Sequence, residues 1–240
     1  MELNKKNIGL KSELTNQRKE GFFLFIKKAF VYLRKHTGQG HAYLWKYFYE
    51  TGQTFHIKPK IDDIELKEVK ITDKDEIEEI AEKDAWGQNI NMIHKDMEAG
   101  HRCFVIKHNG EIVASNFVAV SNEVWDRIWA RKFKLGRKEA YGWQSWCIPA
   151  YRGKGLMPFL ILSTIACIAN ECDKPEHIGW TWVSNKKMHR SLLKIGFKKI
   201  GQLGFIEFCG IRFSYILGHD AFKQTRKRAC LHIPALRRSR

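Results

Sequence analysis

A glycine-rich turn near the middle of the chain has the residue types that bind phosphate groups. The segment from Trp146 to Met157 joins an apolar strand pattern to an apolar helix pattern and contains Arg152-Gly153-Lys154-Gly155. Glycines let the backbone approach a phosphate closely, and the first N–H groups of a helix favour an anion. The turn is not a Walker loop, since no Gly-Lys-Ser/Thr follows, and it is not Gly-x-Gly-x-x-Gly. It therefore predicts either a phosphate-binding loop of another kind or an ordinary strand–turn–helix connection.

The segment resembles the diphosphate-binding loop of the GNAT (N-acetyltransferase) superfamily, whose pattern is Arg/Gln-x-x-Gly-x-Gly/Ala. Arg152 and Gly155 match that pattern, while Met157 stands at the last position. A second match follows about thirty residues on. Asn185 and the stretch from Leu192 to Phe197 resemble the family's Asn-x(n)-Tyr-x-Lys-x-Gly-Phe segment, with Leu192 in place of the tyrosine. The resemblance covers residues 64–218.

The resemblance implies an α+β GNAT fold: a mixed, mostly antiparallel sheet with a splayed central strand pair, flanked by helices. Here the splayed strands would be 141–148 and 177–183. The implied acyl donor is acetyl-CoA, with no metal, and the acyl group would pass directly to an amine. The residues implied in binding CoA are Trp146, Cys147, Ile148, Arg152, Gly153, Lys154, Gly155, Leu156, Met157 and Asn185.

The groups that would move protons are less evident. In the family the tyrosine often protonates the departing thiolate, and Leu192 cannot do so. His189 lies three residues earlier on a similar helix face and is the candidate replacement, a packed histidine being the alternative. Cys147 has no His/Asp partner in the sequence, which favours a packed thiol over a nucleophile. The strand 141–148 has no carboxylate to act as the base. A water relay that ends on a distant acid is the alternative, and the candidate acids are Glu123, Asp126 and Glu139.

The remaining patterns predict alternating strands and helices. Strands are predicted over 64–71, 102–107, 111–120, 197–208 and 211–217, and helices over 72–84, 91–99, 155–170 and 186–195. Asn109-Gly110 predicts a tight hairpin between the second and third of these strands. The segment 56–64, with Pro59, is typical of a linker.

The segment 122–138 is longer than the family's usual connection. Trp125, Trp129 and Phe133 recur every four residues with cations between them, which favours a helix that packs its aromatic stripe on the domain. The alternative is a flap over the acceptor site, whose cations hold an anionic group of the acceptor.

The net charge of +16 comes from the two ends of the chain. Residues 1–60 contain twelve Lys/Arg and four Asp/Glu, and residues 221–240 contain seven and none, whereas the middle is nearly neutral. The predicted organisation is a basic, aromatic-rich helical extension (1–60), a GNAT domain (61–220) and a basic tail (221–240). An amphipathic helix over 18–35 would suit an anionic membrane surface, the tail would suit RNA, and a packed helix with a solvated tail is the third reading.

Composition bounds the compartment and the partners. A hydrophobic fraction of 44% supports a packed core, and the longest apolar run is far too short for a membrane span of about 20 residues. Six scattered cysteines without zinc-type spacing indicate reduced thiols. We expect a cytoplasmic protein, either free or peripheral at the inner face of the membrane, whose oligomeric state stays open.

These observations favour an N-acyltransferase that acts on a small amine, with an amino-sugar intermediate of surface polysaccharide synthesis as the expected acceptor. Acylation of aminoacyl-tRNA or of protein amines is a second possibility. A CoA-binding module without activity is a third, because Leu192 and Met157 depart from the family pattern.

Overall fold

The computed structural model describes residues 37–218, except 56, 84–86, 130 and 209–210. The strands are β1 (Thr37–Phe48), β2 (Ile64–Val69), β3 (His101–His108), β4 (Glu111–Ala119), β5 (Glu123–Asp126), β6 (Arg131–Lys134), β7 (Glu139–Cys147), β8 (Glu176–Trp182), β9 (Lys198–Phe208) and β10 (Ile211–Leu217). The helices are α1 (Lys74–Lys83), α2 (Ile90–Glu98), α3 (Leu156–Cys172) and α4 (Lys186–Lys194), with a 3₁₀ turn at Pro149–Tyr151.

Eight of these strands form one sheet in the order β10-β9-β1-β8-β7-β4-β3-β2. The pairs β2–β3, β3–β4, β4–β7 and β1–β8 are antiparallel, whereas β7 and β8 run parallel. The mixed, mostly antiparallel sheet and the order of its elements are those that the resemblance implied, so the predicted GNAT fold is confirmed.

The parallel pair β7–β8 opens along its length. The strands pair from Glu139↔Glu176 to Gly142↔Gly179 and then stop, although β7 continues to Cys147 and β8 to Trp182. This is the splayed pair predicted from the sequence. We call the space beyond Gly142 and Gly179 the strand gap.

The hairpin between β3 and β4 follows from its turn residues. Asn109 and Gly110 both have positive φ angles, of 54° and 83°. A two-residue turn with both residues left-handed matches the twist of the flanking strands, and asparagine and glycine tolerate it best. The hairpin predicted at Asn109-Gly110 is confirmed.

The two faces of the sheet are covered by different elements. Helix α3 packs through Leu156 and Leu160 against a cluster that includes Ala114 of β4, and Ala140 and Cys147 of β7. On β7, Tyr141 alternates with Ala140 and therefore faces the other way. Its hydroxyl donates to Asp126 of β5, so the β5–β6 hairpin covers the face opposite α3.

Strand β1 corrects the prediction that residues 1–60 form a helical extension. Residues 37–48 form a strand inside the sheet, paired with β8 from Ala42↔Trp182 to Phe48↔Glu176. Trp45 and Tyr47 are buried, and they alternate with the less buried Lys46 and Phe48. This alternation is the pattern of a strand. The many aromatic residues in the segment made the alternation difficult to see in the sequence.

The segment 122–138 is also not the predicted helix. It forms the two-stranded hairpin β5–β6, in which Val124 pairs with Phe133 and Asp126 with Arg131, all four buried. The intervening Trp125 and Lys132 face solvent. The spacing of four between aromatic residues arises because a turn separates the strands, and not from a helical repeat.

The described residues belong to two compact units. The larger contains 41–204 and 215–218 and holds every residue of the site described below, while the described part of the smaller is 37–40, 205–208 and 211–214. The predicted helix 18–35 and tail 221–240 lie outside the described residues. Within them, no helix is both long and apolar enough to cross a membrane.

Candidate functional site

The glycine-rich turn takes the conformation that its glycines permit. After the 3₁₀ turn, Gly153 and Gly155 have φ angles of 79° and 82°, in the left-handed region that other residues rarely adopt. Gly155 is the N-cap of α3 and has no side chain to accept the first N–H groups of the helix. The strand, turn and helix predicted from the sequence are all present here.

Several amide groups converge at this turn. No described residue accepts a hydrogen bond from the backbone N–H groups of residues 154–157. Pro158 follows in the first helical turn, where its missing N–H costs little. Unpaired N–H groups and the positive end of the helix dipole form a cradle for an anion. The residues present therefore fit a bound diphosphate.

Two cations border this cradle and are held in place by neighbours. The Arg152 guanidinium donates through Nε to the carbonyl oxygen of Cys147 at 3.0 Å, which ties the turn to the end of β7. Lys154 Nζ lies 4.9 Å from the centre of the Tyr151 ring. The Tyr151 hydroxyl is 3.0 Å from Nδ1 of His108. The turn is thus braced by the β3–β4 hairpin as well as by β7.

A strap of residues 57–61 crosses the same turn. The N–H of Lys60 donates to the carbonyl oxygen of Lys154 at 2.9 Å, and a Cβ on Gly155 would lie 3.7 Å from Pro59 Cα. Ile57 packs against the cluster of β1 and α4, and Ile61 against that of α3 and β4. The sequence pattern predicted a linker over 56–64 but gave no sign of this docking, because the docking depends on residues distant in the chain.

The backbone at the end of β7 faces the strand gap only in part. A bulge lies at Gln144, whose φ is 49°, and shifts the register with β4 between Ser115 and Phe117. The Ile148 N–H donates to Val113 of β4 at 3.0 Å and is not available to a ligand. Because N–H groups alternate along a strand, that of Cys147 points away from β4, towards the gap. Of the three residues predicted to contact CoA through the backbone, Cys147 is the one whose N–H points towards the gap.

The Cys147 thiol is buried beside α3. Burial raises its pKa, and the nearby Arg152 and Lys154 offset this only in part. The thiol lies 3.6 Å from the Ile148 carbonyl oxygen, to which it donates. A thiol held in its neutral form is a poor nucleophile, which supports the packed role predicted for it.

The two predicted residues of α4 are both engaged locally. Asn185 is the N-cap of α4, and its side-chain oxygen accepts the N–H of Met188 at 3.2 Å. His189 Nε2 is 2.9 Å from the carbonyl oxygen of Trp182 at the end of β8, and its ring contacts those of Tyr43 and Trp45. Both residues therefore lie at the end of β8, next to the strand gap.

The two departures from the family pattern have clear structural roles. Leu192 is 4% exposed and belongs to the cluster of α4 and β1, together with Phe197. Met157 packs against this cluster and also against that of α3 and β4. Its side chain therefore lies where the two clusters meet at the start of α3, and Leu156 beside it is buried.

The three candidate carboxylates differ in their surroundings. Glu123 pairs with Lys132 on the outer face of the hairpin. Glu139 pairs with Lys46 and accepts the N–H of Gly136, at the closed end of the β7–β8 pair.

Of the three, Asp126 is bonded to both strands of the splayed pair, and its burial raises its pKa. One oxygen accepts the N–H groups of Ile128 and Trp129, and the other accepts the Tyr141 hydroxyl and the Trp180 indole N–H at 2.9 and 3.0 Å. Four donors occupy both oxygens, so Asp126 anchors the hairpin and is not free to take a proton.

Comparisons with known proteins find similar solved structures. No family model matches the chain, and no curated protein matches it. Among solved structures, a Drosophila protein is 13% identical with a TM-score of 0.50, covering 78% of this chain and 57% of that one. A structure named as a GNAT-family acetyltransferase from Novosphingobium aromaticivorans is 16% identical with a TM-score of 0.48, covering 70% and 65%.

A third similar structure, named as an acetyltransferase with acetyl-CoA from Clostridium acetobutylicum, is 14% identical with a TM-score of 0.42 and covers 57% of this chain and 90% of that one. The chain thus spans 57% and 65% of the first two of these proteins. At 13% identity, the likeness to the Drosophila protein is one of fold alone.

Proposed function

We propose that this chain transfers an acyl group from CoA to a primary amine, with acetyl-CoA as the donor. The observation that carries the proposal is the position of the strand gap beside the Arg152–Gly155 turn. The Arg152 side chain spans the two, since its Nε bonds to the Cys147 carbonyl oxygen at the end of β7. A cradle for a diphosphate and an opened strand pair are the two binding elements that an extended acyl-CoA requires.

The chain's own residues would divide the work as follows. The amides of residues 154–157, with Arg152 and Lys154, would hold the diphosphate. The free N–H of Cys147 would donate to the thioester carbonyl, where negative charge develops as the amine attacks. CoA supplies the activated acyl group, and the gap positions it against the amine. No covalent enzyme intermediate is needed.

The attacking amine must be unprotonated, and the candidate carboxylate bonded to both splayed strands cannot take its proton. Asp126 is fully occupied by donors. Leu192 replaces the tyrosine that would protonate the departing thiolate, so that thiolate takes the proton that the nitrogen releases as the amide forms. We infer that the acceptor reacts as the free base drawn from solution. The expected kcat/KM then rises with pH up to the pKa of the acceptor amine.

The acceptor we propose to test first is an amino sugar, and acylation of aminoacyl-tRNA or protein amines is the alternative. A CoA-binding module without turnover is the second candidate function, favoured by Leu192 in the core and by the packed Met157 side chain. Acetyl-CoA binding without release of CoA in the presence of any amine would support that candidate.

The test is a turnover assay that follows CoA release from acetyl-CoA with a panel of primary amines, including glucosamine. Direct transfer predicts that Cys147→Ala keeps most of the wild-type rate, because the thiol has no role beyond packing. A covalent route predicts instead that Cys147→Ala abolishes turnover while acetyl-CoA still binds. Absence of turnover with every amine, despite binding, would contradict the proposed activity.

A further inference from the structure

A group of buried polar atoms lies on the sheet face opposite α3. On β7, Trp143 pairs with Phe117 of β4, and Trp146 pairs with Ser115. These positions alternate with Ala114 and Val118, which face α3, so both indoles face away from it. His101 of β3 lies against Trp143, with ring centroids 5.3 Å apart and nearly perpendicular.

These side chains are buried, yet they hold unpaired polar atoms. Trp143, Trp146 and His101 are 4%, 7% and 7% exposed. Among the described residues, neither indole N–H has a hydrogen-bond partner, and the same holds for His101 Nδ1 and Ser115 Oγ. A buried donor left unpaired costs roughly 1–3 kcal/mol, so several of them on the same face of the sheet point to a ligand that completes them.

Arg127, from the turn after β5, gives this group a positive charge. Its Cζ lies 5.7 Å from the centre of the Trp143 ring. Nη2 donates to Asp96 of α2 at 2.8 Å, whereas the buried Nη1 has no partner among the described residues. His101 adds no charge, because burial, with the nearby Arg127, lowers its pKa to about 4.

The chemistry of these atoms selects their ligand. Two indole N–H groups and one guanidinium N–H can only donate, so the group they bind must accept several hydrogen bonds. A carboxylate accepts up to four and pairs favourably with a guanidinium. A neutral hydroxyl would satisfy fewer of these donors.

The two tryptophans of this polar group are next in sequence to residues that border the strand gap. Trp143 directly follows Gly142, where β7 and β8 last pair, and Trp146 directly precedes Cys147, whose N–H faces the strand gap. An anion bound here lies beside the gap, on the face opposite the diphosphate-binding turn. An amine a few bonds away from that anion would reach the gap.

We propose that the acceptor is a primary amine that also bears a carboxylate, held by the indole N–H groups of Trp143 and Trp146 and by Nη1 of Arg127. This inference rests on the proposed acyltransferase function and specifies its acceptor class. It also gives the connection 122–138 the acceptor-binding role, through Arg127 and not through the exposed Lys132.

The experiment compares amines matched except for the carboxylate: 4-aminobutyrate with butylamine, and phenylalanine with 2-phenylethylamine. At saturating acetyl-CoA, the carboxylated member of at least one pair should have a kcat/KM higher by about tenfold or more, the equivalent of one charge-assisted hydrogen bond. This wild-type comparison does not depend on any variant folding. Equal kcat/KM within every pair would overturn the inference.

Variants then locate the carboxylate. Trp143→Phe, Trp146→Phe and Arg127→Gln should each raise KM for the carboxylated amine about fivefold or more, and leave its partner amine and the Kd of acetyl-CoA unchanged. Trp125→Phe is the matched control, since Trp125 is 48% exposed on the outer face of the β5–β6 hairpin, which also contains Arg127. Equal losses with both members of a pair would overturn the assignment.

The failure of this inference differs from that of the proposed function. If acetyl-CoA binds and neutral amines are acylated as well as carboxylated ones, only the acceptor class is wrong. If acetyl-CoA does not bind at all, the proposed function itself is contradicted.

Discussion

Gly142 of β7 and Gly179 of β8 are the last residues to pair before the two strands separate. The Gly142 carbonyl oxygen lies 3.2 Å from the position that a Cβ on Gly179 would take. A Cβ on Gly142 would lie 2.4 Å from Nε2 of His177, which is buried beside it. The closed end of the gap is thus formed by two residues without side chains, with an imidazole filling the space.

This arrangement predicts a specific energetic coupling. Gly142→Ala should lower the free energy of unfolding by about 1–3 kcal/mol, because the new methyl group overlaps the His177 ring. His177→Ala creates the space for it, so the double variant should lose less than the sum of the two single losses. Denaturant unfolding of all four proteins measures the coupling. Strictly additive losses would show that the two side chains do not compete for this space.

The pH dependence of stability should reflect the protonation of two buried histidines on unfolding. Burial lowers the pKa of both His101 and His177 to about 4, whereas an unfolded histidine has a pKa of about 6.5. Both stay neutral in the folded protein, so unfolding takes up protons between these values. The free energy of unfolding should therefore fall as the pH falls from about 6.5 to 4, by up to ~1.4 kcal/mol per pH unit for each histidine.

His177→Ala isolates one of these contributions. In this pH window, unfolding of the variant should take up about one proton fewer than unfolding of the wild type. Its unfolding free energy should therefore depend less steeply on pH. Asp96 and Asp126, whose pKa values are raised by burial, oppose the slope near its acidic end, but equally in both proteins. An unchanged slope would mean that His177 titrates normally in the folded state.

His189 is expected to stabilise the fold and not to transfer protons. His189→Ala loses the hydrogen bond to the Trp182 carbonyl oxygen and the ring contacts with Tyr43 and Trp45, which should cost about 1–2 kcal/mol of stability. The shape of the kcat–pH profile should stay that of the wild type. Loss of one limb of the profile in this variant, but not in His41→Ala at an exposed position, would restore the catalytic role.

Asp126 should prove to be the anchor between the hairpin and the sheet. In Asp126→Asn an amide N–H₂ replaces one acceptor oxygen and meets either the Trp180 indole N–H or the backbone donors. A clash of donors in a buried site should cost about 1–3 kcal/mol of unfolding free energy. The control is Glu123→Gln, which breaks an exposed ion pair with Lys132 and should cost less than about 1 kcal/mol. Similar losses in the two variants would contradict the anchoring role.

The elements predicted correctly from sequence are those fixed by local chemistry. Asn109-Gly110 requires left-handed backbone and so specifies its hairpin, and Gly153 and Gly155 specify the turn before α3. The open strand pair was implied by the resemblance, and not by any local pattern. The bulge at Gln144, two residues beyond the last paired residue Gly142, involves a register that only the assembled sheet defines.

The errors arose where a local pattern had two interpretations. In β1 the aromatic residues alternate, but their number resembled a helical surface segment. In β5–β6 a turn placed Trp129 and Phe133 four residues apart, which imitates a helix. The strap 57–61 and the unpaired indoles of Trp143 and Trp146 depend on distant segments, so no spacing in the sequence could reveal them.

The proposed binding of CoA at the Arg152–Gly155 turn is tested most directly by a calorimetric titration of acetyl-CoA into the full chain, its Gly155→Ala variant and its Gly100→Ala variant. The two glycines have nearly the same φ, +82° and +83°, so each alanine imposes a similar backbone strain of about 1–2 kcal/mol. Only Gly155 lies in the proposed diphosphate cradle. We expect one-site binding that Gly155→Ala weakens by about tenfold and Gly100→Ala leaves unchanged. No binding to the wild type, or equal weakening by both variants, would contradict it.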